Sequence, residues 1–131
     1  MPATGSSWFK TSELGKTDPS TNNWVQGNMN SGAPINMTIP DNLEPGPYVV
    51  KTDIVALQNA ATVNLAEYYS SCMQIQVGGS QAGDAPTGTV IFPGAYKATD
   101  PGILVDVSFA NIQYCGNYVP ILNTLSSVDL H

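Results

Sequence analysis

Three stretches of this chain alternate apolar and polar residues with a period of two, and turn residues separate them. Ile103, Val105, Val107 and Phe109 alternate with Asp106 and Ser108, the cleanest of the three. Met73, Ile75 and Val77 alternate with Gln74 and Gln76. Across residues 48–57, Tyr48, Val50, Ile54 and Ala56 share one parity, and Lys51 and Asp53 share the other. Successive side chains of a strand point to opposite faces, so this pattern predicts strands with one apolar face. Shorter strands are expected at residues 8–10, 35–39 and 89–92. Between them lie turn clusters such as Asp18-Pro19-Ser20, Pro40-Asp41-Asn42, Glu44-Pro45-Gly46-Pro47, Gly78-Gly79 and Asp100-Pro101-Gly102. Several short strands joined by such turns predict an all-β sandwich or barrel. Residues 59–67 have room for a helical turn but read as a loop. Residues 17–34 are polar and read as a long surface loop.

The 131 residues correspond to one domain. Residues 7–34 supply a first strand and the long loop, 35–110 the core strands, and 111–131 a C-terminal segment. Only 11% of residues are charged, a composition that fits an extracellular all-β domain better than a cytosolic helical one. The formal net charge is −6, with four lysines and no arginine. Binding a phosphate backbone needs clustered cations, so nucleic acid is excluded as a partner. No apolar run has membrane-spanning length, so no membrane insertion is expected. The residues after Met1 are small and polar, so no signal peptide is expected within the chain. His131, the single histidine, is expected to have no functional role.

Cys72 and Cys115 are the two cysteines. By count alone they form one disulfide or two free thiols, and their spacing fits no metal motif. Asn36-Met37-Thr38 is an N-glycosylation sequon, which requires an outward-facing Asn36.

Several segments, in order, resemble a fungal enzyme family. They are Trp8-Phe9-Lys10; Ile39-Pro40 with Leu43-Glu44-Pro45-Gly46-Pro47-Tyr48; Ile54-Val55-Ala56-Leu57; Tyr69-Ser70-Ser71-Cys72-Met73-Gln74-Ile75; and the long run from Phe92-Pro93-Gly94-Ala95-Tyr96 through Lys97-Ala98-Thr99-Asp100-Pro101-Gly102-Ile103. Together they resemble the C-terminal half of the lytic polysaccharide monooxygenases of auxiliary-activity family nine, formerly glycoside hydrolase family sixty-one. The resemblance implies an immunoglobulin-like β-sandwich, here reduced in strand number, and secretion from a fungus. It also implies oxidative cleavage of cellulose or related β-glucans by one copper ion. In that family the copper sits in a brace of two histidines with an axial tyrosine, and a further His and a Gln beside it handle oxygen.

Carried over residue by residue, Tyr69 matches the axial tyrosine. Glu67 falls where the pattern has Gln, and Gln58 where it has the further, oxygen-handling His. The brace histidines belong to family segments upstream of Trp8, and the chain carries no match to them. The expectation is therefore no catalytic residue and no metal, with Gln58, Glu67 and Tyr69 as degenerate remnants. Copper is expected only in a full-length parent. The family cysteine that matches Cys72 pairs with an upstream partner lacking here, and the expectation for this chain is a Cys72–Cys115 disulfide. Residues 114–120 fall near the family's glucan-facing tyrosine stretch, so Tyr114 and Tyr118 are candidate glycan contacts. A sandwich missing strands must bury its apolar faces otherwise, either by compaction or as a homodimer.

Other chemistries find no support. A Ser or Cys nucleophile lacks a histidine base. Nothing in the spacing selects Glu67 with Asp53 or Asp106 as a hydrolytic carboxylate pair. Three functions follow. The first is a non-catalytic secreted protein on a monooxygenase scaffold, binding polysaccharide or a cell-surface receptor. The second is a fragment of a copper-dependent monooxygenase. The third is an immunomodulatory or effector-like interaction protein.

Overall fold

The fold was analysed in a computed structural model of the full chain. It describes residues 7–15, 24–25, 31–34, 36–80, 82–84, 87–107 and 121–127. The described strands are β1 (Ser7–Leu14), β2 (Gly46–Ala56), β3 (Glu67–Val77), β4 (Val90–Ile91) and β5 (Ile121–Ser127). They form an antiparallel sheet in the order β3-β2-β5-β1-β4. The architecture is all-β, in keeping with the expected sandwich class.

The β2–β3 hairpin is the longest regular unit. Its ladder runs unbroken from Gly46 opposite Val77 to Ala56 opposite Glu67. Residues directly opposite one another share a face. One face therefore carries Tyr48, Val50, Ile54 and Ala56 with Ile75, Met73, Tyr69 and Glu67. The other carries Val49, Lys51, Asp53 and Val55 with Gln74, Cys72, Ser70 and Tyr68. Tight turns join the two strands: the amide of Ala60 donates to the Leu57 carbonyl, Thr62 to Asn59 and Leu65 to Thr62. This bears out the loop reading of residues 59–67 as far as Ala66, and Glu67 instead opens β3.

Both faces of β2 are covered. On the first, Tyr48 and Val50 pack with Phe9 and Leu43, and Met37, Ile75 and Val77 close the cluster. On the second, Val55 packs with Leu57, Ala60, Ile103 and Val105, with Trp24, Ala66 and Val107 against them. The expected division of faces holds, but the face bearing Lys51 and Asp53 is not turned to water. Asp53 is 0% exposed.

Three strand expectations are corrected. Residues 103–107 do not form a strand despite their alternation. The Asp100 carbonyl accepts from the amides of both Ile103 and Leu104, and the Asp100 carboxylate accepts from the Lys97 amide. That turn captures the start of the run, and the Val105 amide then donates to the Ala60 carbonyl. The alternation is still used, because Ile103 and Val105 are buried as a loop lid. Residues 108 and 109 lie outside the described residues. Residues 36–40 are irregular rather than extended, and Ile39 is exposed. Pro40 ends that run and removes a donor a ladder would need. The expected strand at residues 89–92 shortens to Val90–Ile91 because the chain bends at Phe92 and Pro93.

β1 is longer than expected. It pairs with β5 and shifts register between Lys10 and Ser12, a bulge that bends the strand. β5 falls within the segment read simply as C-terminal, yet it lies between β2 and β1.

Candidate functional site

The hairpin end opposite the Gly46–Val77 pair gathers the three positions singled out by the resemblance. Ala56 and Glu67 are its last ladder pair, and Gln58 follows two residues after Ala56. Gln58 is exposed and borders a cavity of about 330 Å³ that Trp24, Val55 and Val107 help to line. Glu67 and Tyr69 are two apart on one strand and therefore share a face. The Tyr69 hydroxyl donates to Glu67 Oε2 at 2.9 Å, and its ring is 58% exposed. That hydrogen bond, then the carboxylate charge, pushes the Tyr69 phenol above its ordinary range. The pair thus holds a neutral phenol against a carboxylate at the surface.

The opposite face of the same hairpin holds a second cluster. The Asp53 carboxylate accepts from the Ser70 hydroxyl, from Lys51 Nζ and from the Tyr96 hydroxyl, the last at 2.6 Å. Lys51 Nζ also lies 4.5 Å from the Phe92 ring centroid and 5.8 Å from that of Tyr96, within cation–π range. Phe92 meets Trp8 and Tyr96 edge-on, and Tyr96 stacks on Tyr68 at 5.4 Å. A charge with no access to water persists only when it is paired and hydrogen-bonded, and Asp53 has both. This cluster ties the 92–96 bend to the centre of β2.

The sequence reading missed this cluster. Its signal was present, since Val49 and Val55 have the same parity as Lys51 and Asp53. An ion pair two residues apart between buried valines implies a face that is covered and internally neutralised. The register also removes Asp53 as a carboxylate partner for Glu67, because the two lie on opposite faces of the hairpin. Asp106 is exposed on irregular backbone.

Burial pushes the Tyr96 phenol far above its usual range, and the hydrogen bond to Asp53 and that carboxylate's charge add to the effect. A raised folded-state value means the neutral phenol is favoured by folding. The stability it contributes is complete below the unfolded value of about 10 and is lost as pH rises beyond it. Urea unfolding between pH 8 and 11 should show stability falling above about pH 10. Tyr96→Phe should flatten that alkaline limb while lowering stability at pH 8.

Cys72 is exposed on β3 with a free thiol. Its expected partner Cys115 lies outside the described residues, as do Tyr114, Tyr118 and His131. Asn36 is exposed, as a glycosylated asparagine must be. No helix among the described residues is long and apolar enough to cross a membrane.

The family model for Auxiliary Activity family 9 (formerly GH61) matches residues 1–117. The chain is 42% identical over 101 residues to the AA9 family lytic polysaccharide monooxygenase D of Gloeophyllum trabeum, covering 77% of this chain and 29% of that protein. It is 44% identical over 105 residues to the AA9 family lytic polysaccharide monooxygenase E of Botryotinia fuckeliana, covering 79% and 42%. It is 37% identical over 113 residues to the AA9 family lytic polysaccharide monooxygenase B of Malbranchea cinnamomea, covering 86% and 45%. The chain belongs to Auxiliary Activity family 9, and it spans less than half the length of these relatives.

The copper that the family implies does not fit the donors that the described residues bring to this hairpin end. Tyr69, Glu67 and Gln58 offer a phenol, a carboxylate and a carboxamide, and the Tyr69 hydroxyl is engaged with the Glu67 carboxylate. Among the described residues no group of three or more His, Cys, Asp or Glu comes together. Imidazole nitrogens suit copper, whereas an oxygen-only set suits harder ions.

Proposed function

We propose that this chain is a non-catalytic, secreted member of the family that binds polysaccharide or a glycan-bearing cell surface. The observation that carries this reading is the Tyr69–Glu67 pair. A half-exposed aromatic ring beside a carboxylate offers a sugar both an apolar stacking face and an acceptor for its hydroxyls. The same hydrogen bond makes the pair a poor copper ligand set, and Gln58 brings a carboxamide where the family pattern has an imidazole. Tyr114 and Tyr118 are offered as further stacking residues. The reading is tested by retention on insoluble cellulose, xylan and chitin. Retention on at least one is expected, with loss of about 2- to 10-fold in affinity for Tyr69→Ala, the worth of one aromatic contact. No oxidised oligosaccharide should appear with copper and reductant. Passage through all three matrices would contradict the binding role.

A second reading is favoured by coverage. The chain spans 29 to 45% of the relatives named above, so it corresponds to part of a longer monooxygenase in them. On that reading the chain contributes the axial tyrosine and the hairpin that carries it. Oxidised products from a longer form of the protein, together with inactivity of this chain alone, would select it.

A further inference from the structure

Among the described residues the sheet ends on β3, and no described strand pairs with its outer edge. Nine of its eleven residues are exposed, and Ile75 and Val77 are half-buried. The strand is long, and its ladder with β2 is free of register shifts. Natural sheets blunt such edges with lysine, proline, a bulge or a very short strand. β3 has none of these, and its one charged residue is Glu67, at the very start.

Cys72 is the midpoint of Glu67–Val77, with five strand residues on each side. An antiparallel pairing of β3 with a second copy over its full length therefore places Cys72 opposite Cys72. In the same register Tyr69 meets Ile75 and Ser71 meets Met73 on one face, while Tyr68 meets Gln76 and Ser70 meets Gln74 on the other. Aromatic opposite β-branched and polar opposite polar are favourable cross-strand pairs. Glu67 meets Val77, so the two carboxylates lie at opposite ends and no like charges face each other. Directly opposed residues in such a ladder have Cα atoms about 4.5 or 5.5 Å apart, and both values fall within disulfide range.

We propose that the outer edge of β3 is a two-fold interface with a second copy of this chain, closed by a disulfide between the two Cys72 residues. The oxidant is a low-molecular-weight disulfide. One Cys72 thiolate attacks it and releases one thiol. The second Cys72 thiolate then displaces the other thiol from the mixed disulfide. Two protein thiols lose two electrons and two protons, and the small disulfide becomes two thiols. One strand edge covers well under the roughly 800 Å² per partner of a standard interface, so the ladder aligns the copies and the sulfur bond keeps them together.

The test uses the whole chain incubated with oxidised glutathione, read by intact mass and size-exclusion chromatography. A species of twice the 13.8 kDa chain mass is expected, returning to one chain on reduction. Cys115→Ser should still dimerise, and Cys72→Ser should not. The double variant S71K/M73K sets ammonium groups against one another on either side of the dyad. It should form the dimer at least tenfold more slowly while its circular dichroism is unchanged. A single-chain mass with an internal Cys72–Cys115 bond, two thiols that stay free, or a dimer lost in Cys115→Ser would each overturn the proposal.

Discussion

Replacing Asp53 by alanine should produce the largest loss of stability of any single substitution on the hairpin. Asp53 is wholly buried and is the common acceptor for Lys51, Ser70 and Tyr96. Without it, the Lys51 ammonium stays largely buried, its side chain being only 16% exposed, and loses this carboxylate. Removing one partner of a buried ion pair costs about 3–5 kcal/mol, because the other charge is left uncompensated. For a domain of this size that corresponds to a fall in Tm of roughly 10–20 °C. Two hydroxyls also lose their acceptor, so the 92–96 bend should loosen and near-ultraviolet dichroism from Phe92 and Tyr96 should weaken. Asp53→Asn keeps an acceptor for one hydroxyl and should lie between. Thermal unfolding of the three proteins orders them; a shift under about 3 °C for Asp53→Ala, the effect of less than 1 kcal/mol, would show that the cluster is not the clamp described.

Gly83→Ala should also be strongly destabilising, for a steric reason. A Cβ at Gly83 would collide with the backbone of Leu43 and Glu44, which cannot swing aside as a side chain can. The two segments are held together by the Asp84 amide on the Asn42 carbonyl and by the Asn42 carboxamide on the Asp84 carboxylate, both 3.0 Å. Leu43 is buried in the cluster with Phe9, Tyr48 and Val50, so pushing this strap outward opens that core. Overpacking of this kind costs about 1–3 kcal/mol, and rigid backbone on the far side argues for the upper end. Gly78→Ala is the control: its Cβ would meet nothing within 4 Å, and a change within about 0.5 kcal/mol is expected. Urea midpoints for the two variants give the comparison, and equal midpoints would refute the close approach. The Asp84 amide should also lose protection from hydrogen exchange in Gly83→Ala only.

The hairpin was legible in the sequence because two separate constraints agree there. Alternation set the faces of residues 48–57 and 73–77, and Pro-Gly corners set where the first of these strands begins. The run from Ile103 was read wrongly for an instructive reason. Alternation reports which residues are buried, not whether a partner strand exists, and the Asp100 turn takes the amides that a ladder would have used. β5 was missed because Ile121-Leu122-Asn123-Thr124-Leu125 does not alternate, and its place between β2 and β1 depends on pairings distant in sequence. At the candidate site, the motif spacing placed Gln58, Glu67 and Tyr69 at one hairpin end. The Asp53 cluster was not read, since its members come from β2, β3 and the 92–96 bend, and only tertiary packing brings them together.

We propose that this chain carries the scaffold of its family without a copper-holding donor set. Copper titration followed by electron spin resonance tests it most directly. The expected result is a weak signal that does not saturate at one ion per chain and that is unchanged in Tyr69→Phe. A saturable signal from one tightly bound copper per chain, with nitrogen hyperfine structure, would contradict it.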